Sequence, residues 1–84
     1  MIKHAKYLYG YLLEVTFKDR TTRVIDLEDF FKSSPHPLIH KFAKPRLFKQ
    51  FRVEHGFLRW GDNECDIDPF EVYEGVFDAK LEYA

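Results

Sequence analysis

Four prolines decide how much helix this chain can hold. Pro35 and Pro37 follow Ser33-Ser34, Pro45 sits between Lys44 and Arg46, and Pro69 follows Asp68. A proline ring supplies no N–H and clashes with the preceding turn, so a helix cannot run through any of these points. Proline is welcome at the first helical position, where its missing donor has no partner to lose. The middle of the chain is therefore punctuated into short helices. One opens after Asp26, which with Asp29 resembles a capping box with Asp in place of the usual Glu, and runs over Leu27–Phe31. A second follows Pro37 over Leu38–Ala43. Leu47–Gln50 is a helical turn or a loop, and a last helix starts at Asp68-Pro69, with Phe70, Val72, Tyr73 and Phe77 as its apolar side. Gly75 weakens or ends it.

The segments outside these helices alternate. Apolar residues from Tyr7 to Phe17 suffice for a strand pair kinked or turned at Gly10. Leu13, Val15 and Phe17 point to one face, and Lys18-Asp19-Arg20 is a polar turn. Thr21–Asp26, rich in β-branched residues, returns. Phe51–Glu54 and Phe57–Trp60 flank a His55-Gly56 turn, Gly61–Glu64 is a loop, and Cys65–Ile67 adds a brief strand. Strands and helices that are segregated in sequence imply an α+β fold. The expected architecture is two antiparallel β-hairpins forming a small sheet with short helices packed on one face. Leu13, Val15, Phe17, Val24, Ile25, Phe30, Ile39, Phe42, Phe48, Val53, Leu58, Trp60, Ile67 and Tyr73 are its expected core. At 84 residues this is one domain, 1–84, with an acidic C-terminal helix and tail over 69–84. Aromatic residues make up 18% of the chain, which lets so short a sequence fill a core.

Charge is segregated along the chain. Residues 1–60 carry a net +6 and residues 61–84 a net −7, within a total of −1. Two poles follow from this. Lys41, Lys44, Arg46, Lys49 and Arg52 suit a negatively charged partner. Asp62, Glu64, Asp66 and Glu71 suit a basic one. The bland counterpart is an acidic end that folds against the basic middle or is simply solvated. With Arg59 added, the basic residues interleave with Phe42, Phe48, Phe51 and Phe57, the pattern of phosphate contacts beside stacking rings in single-stranded nucleic-acid binding. An isoelectric point of about 6.4 argues against it.

Motifs for chemistry are wanting. Cys65, the one cysteine, excludes an internal disulfide. With His4, His36, His40 or His55 it makes a nucleophile–base pair on paper only, since no glycine-rich elbow accompanies it, and it reads as a buried small hydrophobe. Asp62, Glu64 and Asp66 have calcium-loop spacing, but Ile67 stands where that loop needs glycine and Tyr73 where it needs Glu. His36 and His40 are four apart, with Pro37 between them and no third ligand nearby. Asp26 and Asp68 read as helix caps, and Trp60 as core with its indole N–H on a loop carbonyl. No enzyme activity, cofactor or metal site is expected. No stretch has the pattern of a signal peptide or membrane helix, so a cytoplasmic protein without membrane contact is expected.

Four stretches carry a family resemblance. They are Leu12–Asp19, Val24–Leu27, Leu47–Val53, and Leu58–Gly61 followed by Asp66–Pro69 and Val72-Tyr73. In order and spacing, over roughly residues 2–75, the chain resembles domain-of-unknown-function family 2442. Two positions depart from it: Arg20 stands where the family often has Gly, and Asn63-Glu64-Cys65 where it has Asn-Gly before the late Asp. The resemblance implies a small bacterial-type α+β domain. It also implies pairing with another small protein in a toxin–antitoxin-like arrangement, and it supplies no catalytic residues. The expected function is a non-catalytic protein-interaction module, the antitoxin-like member of such a pair, with a small protein as partner. Nucleic-acid binding through residues 41–59 is the alternative.

Overall fold

Strand pairing begins earlier than the alternation suggests. In the computed structural model, which describes residues 1–62 and 64–80, Ile2–Tyr7 is already a strand, β1. It pairs antiparallel with β2, Leu12–Phe17, through the Gly10 turn. β2 pairs with β3, Thr22–Asp26, across the Lys18–Arg20 turn. The sequence Ile-Lys-His-Ala-Lys-Tyr hides its strand character because β1 is an edge: of its side chains only Ile2 is fully buried.

Four short helices and one 3₁₀ turn follow β3 among the described residues. α1 is Glu28–Lys32, α2 is Pro37–His40 and α3 is Pro45–Phe48, with the 3₁₀ turn at Lys41–Ala43 between α2 and α3. Pro37 and Pro45 each occupy a first helical position. The capping box expected at α1 takes a different form. Leu27 is the N-cap, and Asp26 Oδ1 accepts from the Glu28 N–H at 3.0 Å in a local turn. The second half of the chain adds β4, Arg52–Glu54, β5, Phe57–Trp60, and β6, Cys65–Ile67, then α4 at Pro69–Tyr73. His55 and Gly56 both have positive φ, 54° and 81°, which makes the tight β4–β5 turn.

The fold is α+β, with antiparallel strands and a few short helices. The expectation of one sheet is corrected: the strands form two three-stranded sheets, β1-β2-β3 and β4-β5-β6. β1 lies beside β4. A bulge between Ile2 and His4 interrupts the regular edge of β1, which meets the second sheet through one bond, Ile2 N–H to Gly56 O at 3.2 Å. The far edge of the first sheet is covered instead. Asp26 N–H donates to Phe77 O and Ala79 N–H to Val24 O, both at 2.9 Å, so residues 77–79 run along β3.

The core draws on both sheets and the helices between them. Leu13, Val15, Phe17 and Ile25 come from the first sheet, Leu58, Trp60, Cys65 and Ile67 from the second, and Phe31, Phe42 and Phe48 from the helical segment. Trp60 is the hub. Its ring meets Phe31 edge-on at 4.9 Å, and its indole N–H donates to Phe48 O at 2.8 Å, the carbonyl that the sequence calls for. Phe30, Ile39 and Val53 are only partly buried and pack against this core, Val24 is half-exposed, and Tyr73 is exposed. Their places go to Ile2, Leu27, Phe31, Cys65 and Val72. Ile25 stands opposite Leu13, so its neighbour Val24 must face the other way. No helix among the described residues is long and apolar enough to cross a membrane. The tail expected over 81–84 lies outside the described residues, as does Asn63 of the Gly61–Glu64 loop.

Candidate functional site

The charge poles read from the sequence partly neutralise each other in the fold. Lys41, in the 3₁₀ turn, pairs with Glu64 beyond β5, and this ammonium holds the Glu64 carboxyl below its ordinary range. On the second sheet Arg52 stands opposite Arg59 and Arg59 opposite Asp66. Glu54 relieves the first of these pairings, lying 3.0 Å from Arg52 and 3.6 Å from Arg59, and Asp66 lies 3.1 Å from Arg59. The Glu54 carboxyl is lowered, chiefly by its hydrogen bond with Arg52. Lys41, Arg52, Glu64 and Asp66 are thus internally paired. Asp62 and Glu71 are exposed and have no ion pair among the described residues, and the same holds for Lys44, Arg46 and Lys49 around α3. Lys49 lies over the Tyr7 ring at 5.1 Å. Phe42 and Phe48, the rings expected to interleave with these bases, are buried in the core.

α4 builds a surface that periodicity missed. Asp68 Oδ1 caps it by accepting from the Phe70 N–H at 2.8 Å, and Pro69 takes the first position. The helix has five residues, and Gly75, at φ 89°, follows its C-cap. In a single turn Phe70 and Val72 lie on opposite sides, so only one of them can face inward. Val72 does. Phe70 is 69% exposed and Tyr73 40%, against the expectation that both line the buried side. With Met1, Phe17 and Pro69 they form an apolar groove of about 270 Å³. Phe17 floors it, meeting Tyr73 edge-on at 5.0 Å. The Tyr73 hydroxyl donates to Asp19 Oδ2 at 2.6 Å and ties α4 to the β2–β3 turn. That hydrogen bond, more than the Thr21 N–H, holds the Asp19 carboxyl below its usual value.

A larger groove of about 510 Å³ lies between α1 and the segment after α4, lined by Asp26, Glu28, Asp29, Phe30 and residues 76–78 and 80. Most of its carboxylates are engaged: Asp26 by the Glu28 N–H, Glu28 by Lys32 at 2.8 Å, and Asp78 by Arg23 at 3.2 Å.

The groups considered for catalysis sit in unfavourable settings. Burial, followed by the Asp66 charge, pushes the Cys65 thiol up to about 11, the reverse of what a nucleophile needs. His40 Nδ1 lies 3.1 Å from Phe31 O. Among the described residues no group of three His, Cys, Asp or Glu side chains converges as metal ligands would.

Comparison with known proteins gives one match. A family model described as "Protein of unknown function (DUF2442)" covers residues 2–78. No curated protein and no solved structure matches the chain.

Proposed function

This chain belongs to the DUF2442 family of proteins of unknown function, and from that premise we propose that it is a non-catalytic protein-interaction module. In this reading its partner is a small basic protein, and the chain is the antitoxin-like member of a two-protein bacterial system, working in the cytoplasm. One observation carries it: internal pairing occupies Lys41, Arg52 and Arg59 of the basic middle, while Asp62 and Glu71 stay exposed and unpaired among the described residues. Exposed carboxylates steer a basic partner and set its orientation. Glu64 and Asp66 contribute to the same end of the molecule through pairs that a partner's cations would have to share.

Nucleic-acid binding remains the second reading because Lys44, Arg46 and Lys49 are exposed together around α3. It is weakened by the burial of Phe42 and Phe48, which leaves no rings there for bases to stack on.

Affinity capture with the intact chain, run beside the Asp62→Lys/Glu71→Lys double variant, tests the first reading. A small basic protein should be retained by the native chain and lost by the variant. Gel shifts with RNA and DNA at low salt test the second. Tight binding that falls steeply with salt and is lost in Lys44→Glu/Arg46→Glu, with no protein captured, would sink the interaction-module reading.

A further inference from the structure

The groove along α4 is a docking surface with two unlike walls. On one side stand Glu71 and Glu74, Glu74 one helical turn from Phe70 and thus on the same face. On the other side is the β2–β3 turn, which carries exposed Lys18 and Arg20. The turn belongs to the groove because Asp19 accepts from Tyr73 and the Lys18 N–H donates to Met1 O at 3.1 Å. None of these four charged side chains has an ion pair among the described residues. Between the walls, apolar Met1, Phe70 and Tyr73 are exposed. Exposed large apolar side chains gathered on one patch mark an interaction site.

A partner of uniform charge meets attraction at one wall and repulsion at the other. The occupant must be bipolar, positive against α4 and negative against the turn. A second copy related by a two-fold axis through the groove satisfies this automatically, because the axis carries each acidic wall onto the other copy's basic wall. A net charge of −1 leaves little overall repulsion between copies. We propose that this groove is a homodimer interface, with the two Phe70 rings packed near the axis and Glu74 of each copy facing Lys18 of the other. This goes beyond the interaction-module reading and does not depend on it, since Asp62 and α3 lie outside the groove. A groove this small makes a weak interface, with dissociation constants in the micromolar to millimolar range, on the order of 10⁻⁵ to 10⁻³ M.

Sedimentation equilibrium of the intact chain from about 10 µM to about 1 mM spans that range. The native chain should dimerise with concentration. Phe70→Asp, at an exposed position, should weaken association at least about tenfold with an unchanged circular-dichroism spectrum. Lys18→Glu and Glu74→Lys should each associate poorly alone, because each places like charges across both walls. Mixed in equal amounts they should form a heterodimer, since each glutamate then meets a lysine. A chain that stays monomeric throughout overturns the proposal, even if Phe70 proves to hold some other protein. So does association that Phe70→Asp leaves intact, or a mixture that associates no better than its components.

Discussion

Arg20 is the residue most at odds with its own backbone. It sits at φ 75°, in the left-handed region where a Cβ crowds the following carbonyl, at about 1–2 kcal/mol. Its backbone N–H is used, donating to Phe17 O at 3.0 Å to close the turn, so the conformation is held in place by the hairpin. Arg20→Gly removes the steric cost, and part of that gain is returned through the greater freedom of glycine in the unfolded chain. The expected net gain is about 0.5–1 kcal/mol, seen as a melting temperature a few degrees higher. An equal or lower melting temperature would show that the Arg20 side chain contributes more than its backbone costs. At this scale the sequence was legible wherever one residue type answers one local need. Trp60 needed a carbonyl for its indole, Asp68 stood before a proline, and His55-Gly56 offered two residues tolerant of positive φ. It was illegible where two apolar neighbours compete for one inward position, as Val24 does with Ile25 and Phe30 with Phe31. Single-residue phase in so short an element depends on what packs against it, and that is a long-range fact.

No helix here exceeds five residues among those described, far below the length at which a helix holds itself together in water. Each persists through packing and through how its ends are satisfied. Asp68→Ala therefore removes the side-chain acceptor for the Phe70 N–H and should cost about 1 kcal/mol in urea unfolding, with little change in slope. Asp68→Asn, which keeps an acceptor oxygen, should lose less. An alanine variant as stable as the native chain would mean that water satisfies that N–H equally well. Helix starts were readable because proline at a first helical position has a mechanism, and Pro37, Pro45 and Pro69 all take that place. The α4 surface was not readable. Its apolar residues look like a buried side if the helix continues through Phe77, and Gly75 stops it after one turn. β1 was missed for a related reason: as an edge strand it lacks the inward alternation that marks β2.

For the molecule as a whole, the lowered carboxyls set its response to acid. Asp19, Glu54 and Glu64 all lie below their ordinary values of 3.8, 4.5 and 4.5, held by Tyr73, Arg52 and Lys41 respectively. The unfolded chain therefore takes up protons first. Stability should be constant above those ordinary values and fall as pH drops through the lowered ones. Cys65 acts at the other limb. Raised from 9.0 to about 11, its thiol favours the fold below 9 and loses that contribution as pH climbs toward 11. Urea midpoints measured across pH should show a plateau with both shoulders. Glu64→Gln should shallow the acid shoulder and Cys65→Ala the alkaline one, and shoulders that ignore these changes would refute the assignment. The run of residues 77–79 along β3 has a consequence of another kind. β3 would otherwise present the free peptide groups of Val24 and Asp26 to any passing chain, a template on which strands add end over end into aggregates. Two backbone bonds, the Arg23–Asp78 ion pair and the edge-on contact of Phe77 with Phe30 keep that template closed, so these three residues act as a guard on solubility.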